Sequence, residues 1–165
     1  MCDWRSVVLQ TGTDIVLFTT GVTLPIVIET HKQLSANGLS VGLVHLPTVQ
    51  PLDQELLRSH CHSDALWVSI EEHSVIGGLG GRLAAWLAEH HLYQQSVPRL
   101  LTLGSKAEFL HGHQTQQQAR LHQGLTPELL AARIQMSLHA QMREHNLELK
   151  EQPQKSMVSN HMITS

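Results

Sequence analysis

Short apolar runs alternate with longer amphipathic stretches along the chain, from residue 14 to about residue 146. The short runs are rich in Val, Ile and Leu, which is typical of strands buried on both faces of a parallel sheet. The stretches between them carry apolar residues at helical spacing. The alternation predicts an α/β fold, a three-layer, open, mostly parallel sheet with helices on both faces. The predicted strands are residues 14–20, 40–46, 65–70 and 97–103.

Local signals indicate where the helices begin and end. Pro25 lies in the first turn of the first helix, which Asn37-Gly38 terminates. Asp53 is placed to cap a short helix over residues 54–59, and Thr126-Pro127-Glu128 begins the last helix. A further helix is expected through residues 82–90. The predicted buried positions are Leu24, Val27, Ile28, His31 and Leu34 in the first helix, and Leu130, Ile134, Leu138 and Met142 in the last.

The length of 165 residues fits one domain with a tail. We expect an N-terminal extension over residues 1–13, a domain over residues 14–146 and a flexible tail over residues 147–165.

Composition narrows the classes of function. The formal net charge is −3, and the chain has no block of Lys and Arg, so a nucleic-acid partner is not expected. No apolar run reaches the ~18 residues that a membrane span needs. The N-terminus has no apolar signal-peptide segment, and Cys2 and Cys61 do not suggest a disulfide framework. These features predict a soluble cytoplasmic protein that does not bind membranes.

Candidate chemistry concentrates in residues 69–81, where a predicted strand ends in Glu71 and Glu72 and four glycines follow within five positions. The carboxylates are either an acid–base pair, or one of them caps the next helix or pairs across a domain contact while the other is solvated. The glycines either cradle an anion or allow close packing between helix and strand. We favour the contact-forming alternatives, with catalysis by Glu72 or His73 as the minority one. The anion-binding or interface candidates are Gly21, Thr48, Glu71, Glu72, His73, Gly77, Gly78 and Gly80.

Two histidine clusters have the appearance of metal ligands. They are His60-Cys61-His62 and His111-Gly112-His113. Neither has a second cluster at zinc spacing, so no metal site is predicted.

Four phrases occur in a fixed order along the chain and together resemble the C-terminal domain of the transketolase superfamily. They begin at Asp14, His45, Glu71 and Gly124, and read DIVLFTTG, HLPTVQPLD, EEHSVIGGLG and GLTPE. The resemblance covers residues 14–134 and is nearest to C-terminal sections of split-type transketolases. Deoxyxylulose-phosphate synthases and 2-oxo-acid dehydrogenase β subunits carry the same domain. The sequence departs from the family pattern at Gln50, where lysine is usual, and at Ala107, where aspartate is usual.

The resemblance implies a role in a thiamine-diphosphate enzyme. Transketolase-like enzymes hold thiamine diphosphate and Mg²⁺ between two further domains, one of which carries a Gly-Asp-Gly motif. This chain contains no Gly-Asp-Gly, and only thirteen residues precede its first predicted strand. The resemblance therefore implies a non-catalytic assembly domain that binds no cofactor and has no activity alone. Its partners would be chains with the two cofactor-binding domains and a second copy of itself in a dimer. The alternative is a stand-alone regulatory module that binds an anion or a sugar phosphate.

Overall fold

A computed structural model describes residues 5–62, 65–74, 77–91, 97–105 and 115–151. Within these residues, helices cover both faces of a five-stranded sheet with strand order β1-β3-β2-β4-β5. The elements in chain order are β1 (Val7–Gln10), β2 (Ile15–Thr19), a 3₁₀ turn (Gly21–Thr23), α1 (Leu24–Ala36), β3 (Val41–His45), α2 (Gln54–His60), β4 (Leu66–Ser74), α3 (Leu79–His91), β5 (Arg99–Ser105), α4 (Gln116–His122) and α5 (Pro127–Glu151).

The sheet is mixed, with four parallel strands and one antiparallel strand in the described part of the chain. β2 lies at its centre, pairs in parallel with β3 and β4, and has all five residues buried. β4 pairs in parallel with β5. The α/β architecture predicted from the alternating pattern is therefore confirmed.

The first strand of the sheet is β1, and the expectation that the first strand begins at residue 14 is wrong. β1 runs antiparallel to β3, with Val7 opposite His45 and Val8 opposite Val44. All four of its residues are exposed, so it lacks the buried apolar run that revealed the other strands. Its position depends on pairing with a distant strand and not on a local pattern.

Two apolar layers sandwich the sheet. On one face α1 and α5 pack on side chains of β2, β3, β4 and β5, including Leu17, Leu43 and Val68. On the other face α2 and α3 pack on the alternate side chains of the same strands, including Phe18 and Trp67. Because successive strand residues point to opposite faces, the mainly apolar strands supply both layers.

The buried face of α1 agrees in part with the predicted one, and Leu24 is only partly buried. Val27 and Leu34 are buried as predicted, but Ile28 is exposed and Thr30 is buried in its place. The Thr30 hydroxyl donates to the carbonyl oxygen of Ile26 at 2.9 Å, so its burial leaves no unpaired polar group. His31 is partly buried as predicted, with its Nε2 2.9 Å from the carbonyl oxygen of Val41.

Several helix ends follow the sequence signals. Asp53 caps α2 by accepting the backbone N–H of Leu56 at 3.2 Å, and its other oxygen accepts the N–H of Ser6 at 3.2 Å. The last helix begins at Pro127 and extends to Glu151, beyond residue 146, where the expected domain ends. Residues 152–165 of the expected tail, residues 1–4 and the Met142 side chain lie outside the described parts. No described helix has the length and apolar character that crossing a membrane requires.

Candidate functional site: a crevice at the carboxyl edge of the sheet

The chain leaves the neighbouring strands β2 and β4 in opposite directions. It passes from β2 through α1 to β3 on one side, and from β4 through α3 to β5 on the other. Ligands of open α/β sheets commonly bind in the crevice that such a divergence creates at the carboxyl ends of the strands. A cavity of about 350 Å³ lies there in this structure. It is lined by Thr20, Gly21, Val22, Val49, Glu71, Glu72, Gly77, Gly78 and Leu79.

Glu71 caps the N-terminal end of α3. Its side chain is buried, with 2 % exposure, and its two oxygens accept the backbone N–H groups of Leu79 at 2.8 Å and Gly80 at 3.0 Å. The free N–H groups and the dipole at a helix N-terminus attract anions. The chain's own carboxylate therefore occupies the position that a bound phosphate would take.

Both glutamates lie in β4, as the sequence analysis expected, but the strand does not end with them. β4 continues to Ser74, with irregular pairing to β5 between Ile70 and Ser74. Because Glu71 and Glu72 are consecutive strand residues, their side chains leave the strand on opposite faces. They therefore have different environments and partners, which does not favour a paired acid and base.

Glu72 connects α4 to the sheet through an ion pair with Arg120. Its Oε1 is 3.1 Å from Nε of Arg120, and both side chains are about four-fifths buried, with exposures of 23 % and 22 %. The Ser105 hydroxyl lies between the carbonyl oxygen of Glu72 and the side-chain oxygen of Gln123, which is 2.5 Å away. Sequence analysis missed Arg120, Ser105 and Gln123, because nothing in the local sequence indicates contacts across 18 to 48 positions.

Glycine is required at Gly78 because of Glu71. A side chain on Gly78 would run directly into the Glu71 carboxylate. Gly77 precedes it with a φ of 79°, in the left-handed region that glycine adopts without strain. The approach to α3 therefore depends on both glycines, and the Glu71 carboxylate caps the start of the helix.

Gly80 supports close packing between α3 and the sheet. A Cβ at this position would lie 2.7 Å from Cγ2 of Thr102 and 2.8 Å from Oγ of Ser69. Its N–H is already bonded to Glu71. Gly80 thus belongs to the contact behind the crevice and has the packing role that the sequence analysis favoured for these glycines.

The remaining candidates lie around the same crevice. Gly21 lines it and has a φ of 60°. Thr48 lies partly buried in the loop between β3 and α2, and the next residue, Val49, lines the crevice. His73 belongs to the backbone of β4, but its side chain lies outside the described structure, as does Ala107. Gln50 accepts a hydrogen bond from Arg82, which joins the loop to the first turn of α3.

The crevice does not fit the diphosphate of thiamine diphosphate. Its titratable lining residues, Glu71 and Glu72, offer an anion no positive charge, and Glu71 already accepts hydrogen bonds from the N–H groups of Leu79 and Gly80. Among the described residues, which include His60-Cys61-His62, no three or more His, Cys, Asp or Glu side chains are grouped to hold a metal ion. His111 and His113 lie outside the described residues.

The sequence matches a known family over most of its length. The profile of the family described as "Transketolase, C-terminal domain" matches residues 5–128, and so includes β1. A Methanocaldococcus jannaschii protein named as a transketolase C-terminal section is 31 % identical over 127 residues, which are 77 % of this chain and 38 % of that protein. A 1-deoxy-D-xylulose-5-phosphate synthase of Syntrophotalea carbinolica is 32 % identical over 131 residues, 79 % of this chain and 20 % of that enzyme.

Solved structures share the fold. A split-gene transketolase solved as an inactive beta4 tetramer superposes with a TM-score of 0.70 at 31 % identity, over 82 % of this chain and 42 % of that chain. A transketolase of Pichia stipitis with sedoheptulose 7-phosphate superposes with a TM-score of 0.56 at 19 % identity, over 81 % of this chain and 18 % of that chain. The chain thus spans well under half the length of these relatives.

Proposed function

Because the chain belongs to the family of transketolase C-terminal domains, we propose that it is the non-catalytic assembly domain of a transketolase-like thiamine-diphosphate enzyme. It packs against chains that carry the two cofactor-binding domains, and it associates with further copies of itself. The assembled complex is a cytoplasmic transferase that binds thiamine diphosphate and Mg²⁺ outside this domain.

The hydrogen bonds of Glu71 are the observation that carries the proposal. A ligand-binding domain of this architecture would present the start of α3 to a phosphate. Here the buried Glu71 carboxylate accepts hydrogen bonds from the N–H groups of Leu79 and Gly80. These two N–H groups are therefore not available to a bound anion. This arrangement supports a structural role for the family's glycine-rich turn in this chain and weakens the alternative of an anion-binding module.

The split-gene relative supports our assignment of cofactor binding and catalysis to another chain. The solved split-gene transketolase that shares this fold is described as inactive in its beta4 form. Thiamine diphosphate itself supplies the carbanion chemistry in enzymes that use it. This chain contributes the carboxyl edge of the sheet, at which Glu71 caps the start of α3 and Glu72 pairs with Arg120 of α4.

The rim of the crevice is the surface that we assign to the cofactor-binding partner. Val22 lines this rim, and 59 % of its surface is exposed. It follows the buried end of β2 by three residues. An exposed apolar side chain beside a concave surface is a common anchor of protein interfaces. The carboxyl edge of the sheet therefore offers both shape and apolar area for docking.

Co-purification tests the proposed function. The tagged chain is co-expressed with a chain from the same genome that contains the Gly-Asp-Gly cofactor motif, and the two are expected to purify as a complex. Val22→Lys should weaken the complex, whereas Met136→Lys, a change at a 72 %-exposed apolar residue of α5, should leave it intact. Failure of the unmodified chain to retain the partner at low and physiological salt would refute the proposal.

A further inference from the structure

α4 is short and lies outside the apolar core. It has seven residues, Gln116–His122, and its one large apolar side chain, Leu121, is 61 % exposed. In the described part of the chain, neither apolar layer of the domain includes a residue of α4. Helices shorter than about 12–15 residues are marginal in water when nothing packs against them. The helical state of α4 therefore depends on its contacts with the rest of the domain.

The described contacts between α4 and the sheet are polar. Arg120 pairs with Glu72 of β4 at 3.1 Å, and Gln123, the residue after the helix, lies 2.5 Å from the hydroxyl of Ser105 at the end of β5. Ion pairs and hydrogen bonds of this kind have a small net stabilising effect, because water replaces them when they break. α4 is therefore held less firmly than the four helices that bury apolar side chains against the sheet.

Local hydrogen bonds close both ends of α4 and define the segment that can open. At the start, the side chains of Thr115 and Gln118 each accept the backbone N–H of the other residue, at 3.3 and 3.0 Å. At the end, the N–H of Leu125 donates to the carbonyl oxygen of Arg120 at 2.8 Å, across Gly124 with its φ of 73°. Leu125 itself is buried in the layer of α1 and α5. Opening of α4 thus stops at Gly124, because Leu125 holds the following chain in the core.

Docked α4 also fixes one wall of the crevice. Glu72 lines the crevice, and its carboxylate is bonded to Arg120. The Ser105 hydroxyl, which donates to the carbonyl oxygen of Glu72, is in turn bonded to Gln123. The Arg120 and Gln123 contacts are lost together when α4 leaves the sheet. The rim of the crevice consequently has one arrangement while α4 is docked and another when α4 is open.

We infer that α4 is an order–disorder element of the crevice, which unfolds locally while the sheet stays intact and which binding of the cofactor-binding partner stabilises in its docked state. A partner that contacts the ordered rim binds the docked state better than the open one, so it shifts the population towards docked α4. This coupling rests on the proposed function, whereas the local opening is a property of the chain alone.

Amide hydrogen exchange of the isolated chain tests the local opening. Low concentrations of urea should leave the exchange of α4 amides unchanged and speed the exchange of β2 amides, which requires opening of the core. Arg120→Met should speed α4 exchange by about three- to tenfold, since it removes one partly buried ion pair. Lys32→Met is the matched control, because it removes the cation of the exposed Glu29–Lys32 pair in α1, also 3.1 Å long, and should leave α4 exchange unchanged.

A double variant shows whether Glu72 and Arg120 act through each other. Glu72→Gln combined with Arg120→Met should exchange at the rate of Arg120→Met alone, because both changes remove the same contact. Exchange of α4 only together with β2, no effect of Arg120→Met, or an equal effect of Lys32→Met would each overturn the local opening.

Addition of the cofactor-binding chain tests the coupling. The complex should slow the exchange of α4 amides relative to the isolated chain. A complex that forms and leaves α4 exchange unchanged would refute the coupling and spare the proposed function. Failure of the complex to form would refute the proposed function, and the coupling with it, while the local opening is decided by the isolated chain.

Discussion

The carboxylate of Glu71 lies in the space that a side chain on Gly78 would need. The same carboxylate accepts the N–H groups of Leu79 and Gly80, so it cannot move aside without giving up two hydrogen bonds. The glutamate of β4 and the glycine of the turn therefore depend on each other, although they are seven positions apart in the sequence.

Gly78→Ala should destabilise the domain by about 1–3 kcal/mol, the usual cost of forcing an extra methyl group into a packed site. Gly81→Ala is the matched control, because Gly81 is an exposed residue in the first turn of α3. There the loss of glycine's flexibility is expected to stabilise the helix by roughly 0.5–1 kcal/mol. Urea unfolding of the two variants measures the difference, and equal stabilities would contradict the packing of Glu71 against Gly78.

Glu71→Ala should also cost about 1–3 kcal/mol, because it leaves two N–H groups at the buried start of α3 without an acceptor. Glu89→Ala, which removes an exposed carboxylate from the same helix, should change the free energy of unfolding by no more than about 0.5 kcal/mol. Thermal or urea unfolding compares them. A loss of stability no greater for Glu71→Ala than for Glu89→Ala would show that the cap contributes little.

Inorganic phosphate should leave the melting temperature unchanged. A ligand that binds the folded state raises it by mass action, but the crevice has two carboxylates and no unoccupied N–H group at Leu79 or Gly80. The titration uses phosphate and a sugar phosphate, with sodium chloride at the same ionic strength as the control. A saturable rise with either anion beyond that of chloride would favour the anion-binding module instead.

Glu128, in the first turn of α5, makes a pH-dependent contribution to stability. Hydrogen bonds from its own backbone N–H and from Thr126 hold the pKa of its carboxyl below the ordinary value. A lowered pKa means that the carboxylate stabilises the folded state above the pKa of the unfolded chain, and that this contribution is lost as the pH falls through the folded-state pKa. Glu128→Gln should therefore lower the melting temperature at about pH 7, and its effect should become smaller as the pH falls towards about 3. A difference that is the same at both pH values would contradict this explanation.

The central sheet was predictable because its strands are buried on both faces. Residues 15–18 and 65–68 are continuous apolar runs, and such runs indicate parallel strands without any knowledge of their neighbours. β1 was not predictable in the same way, since Val7, Val8 and Leu9 are exposed and their strand conformation comes from pairing with β3. Pairing partners are a property of the fold, and a local pattern does not contain them.

The part of the site formed by residues close to one another in the sequence was predictable. The glycine-rich turn and the carboxylates before it identified the crevice, and one of the offered roles for a carboxylate, capping the next helix, is the role of Glu71. The sequence did not distinguish Glu71 from Glu72, because that distinction depends on which face of β4 each side chain takes. Nor did it indicate Arg120, which reaches Glu72 from a helix that follows β5.

Turnover by the purified chain tests the central claim most directly. The chain is incubated with thiamine diphosphate, Mg²⁺ and a ketose phosphate donor and an aldose acceptor, alone and then with the chain that carries the cofactor-binding domains. We expect no ketol transfer by the chain alone and transfer once the partner is added, with Glu72→Gln within about twofold of the unmodified complex because Glu72 serves as a contact to Arg120. Ketol transfer by the purified chain alone would contradict the account.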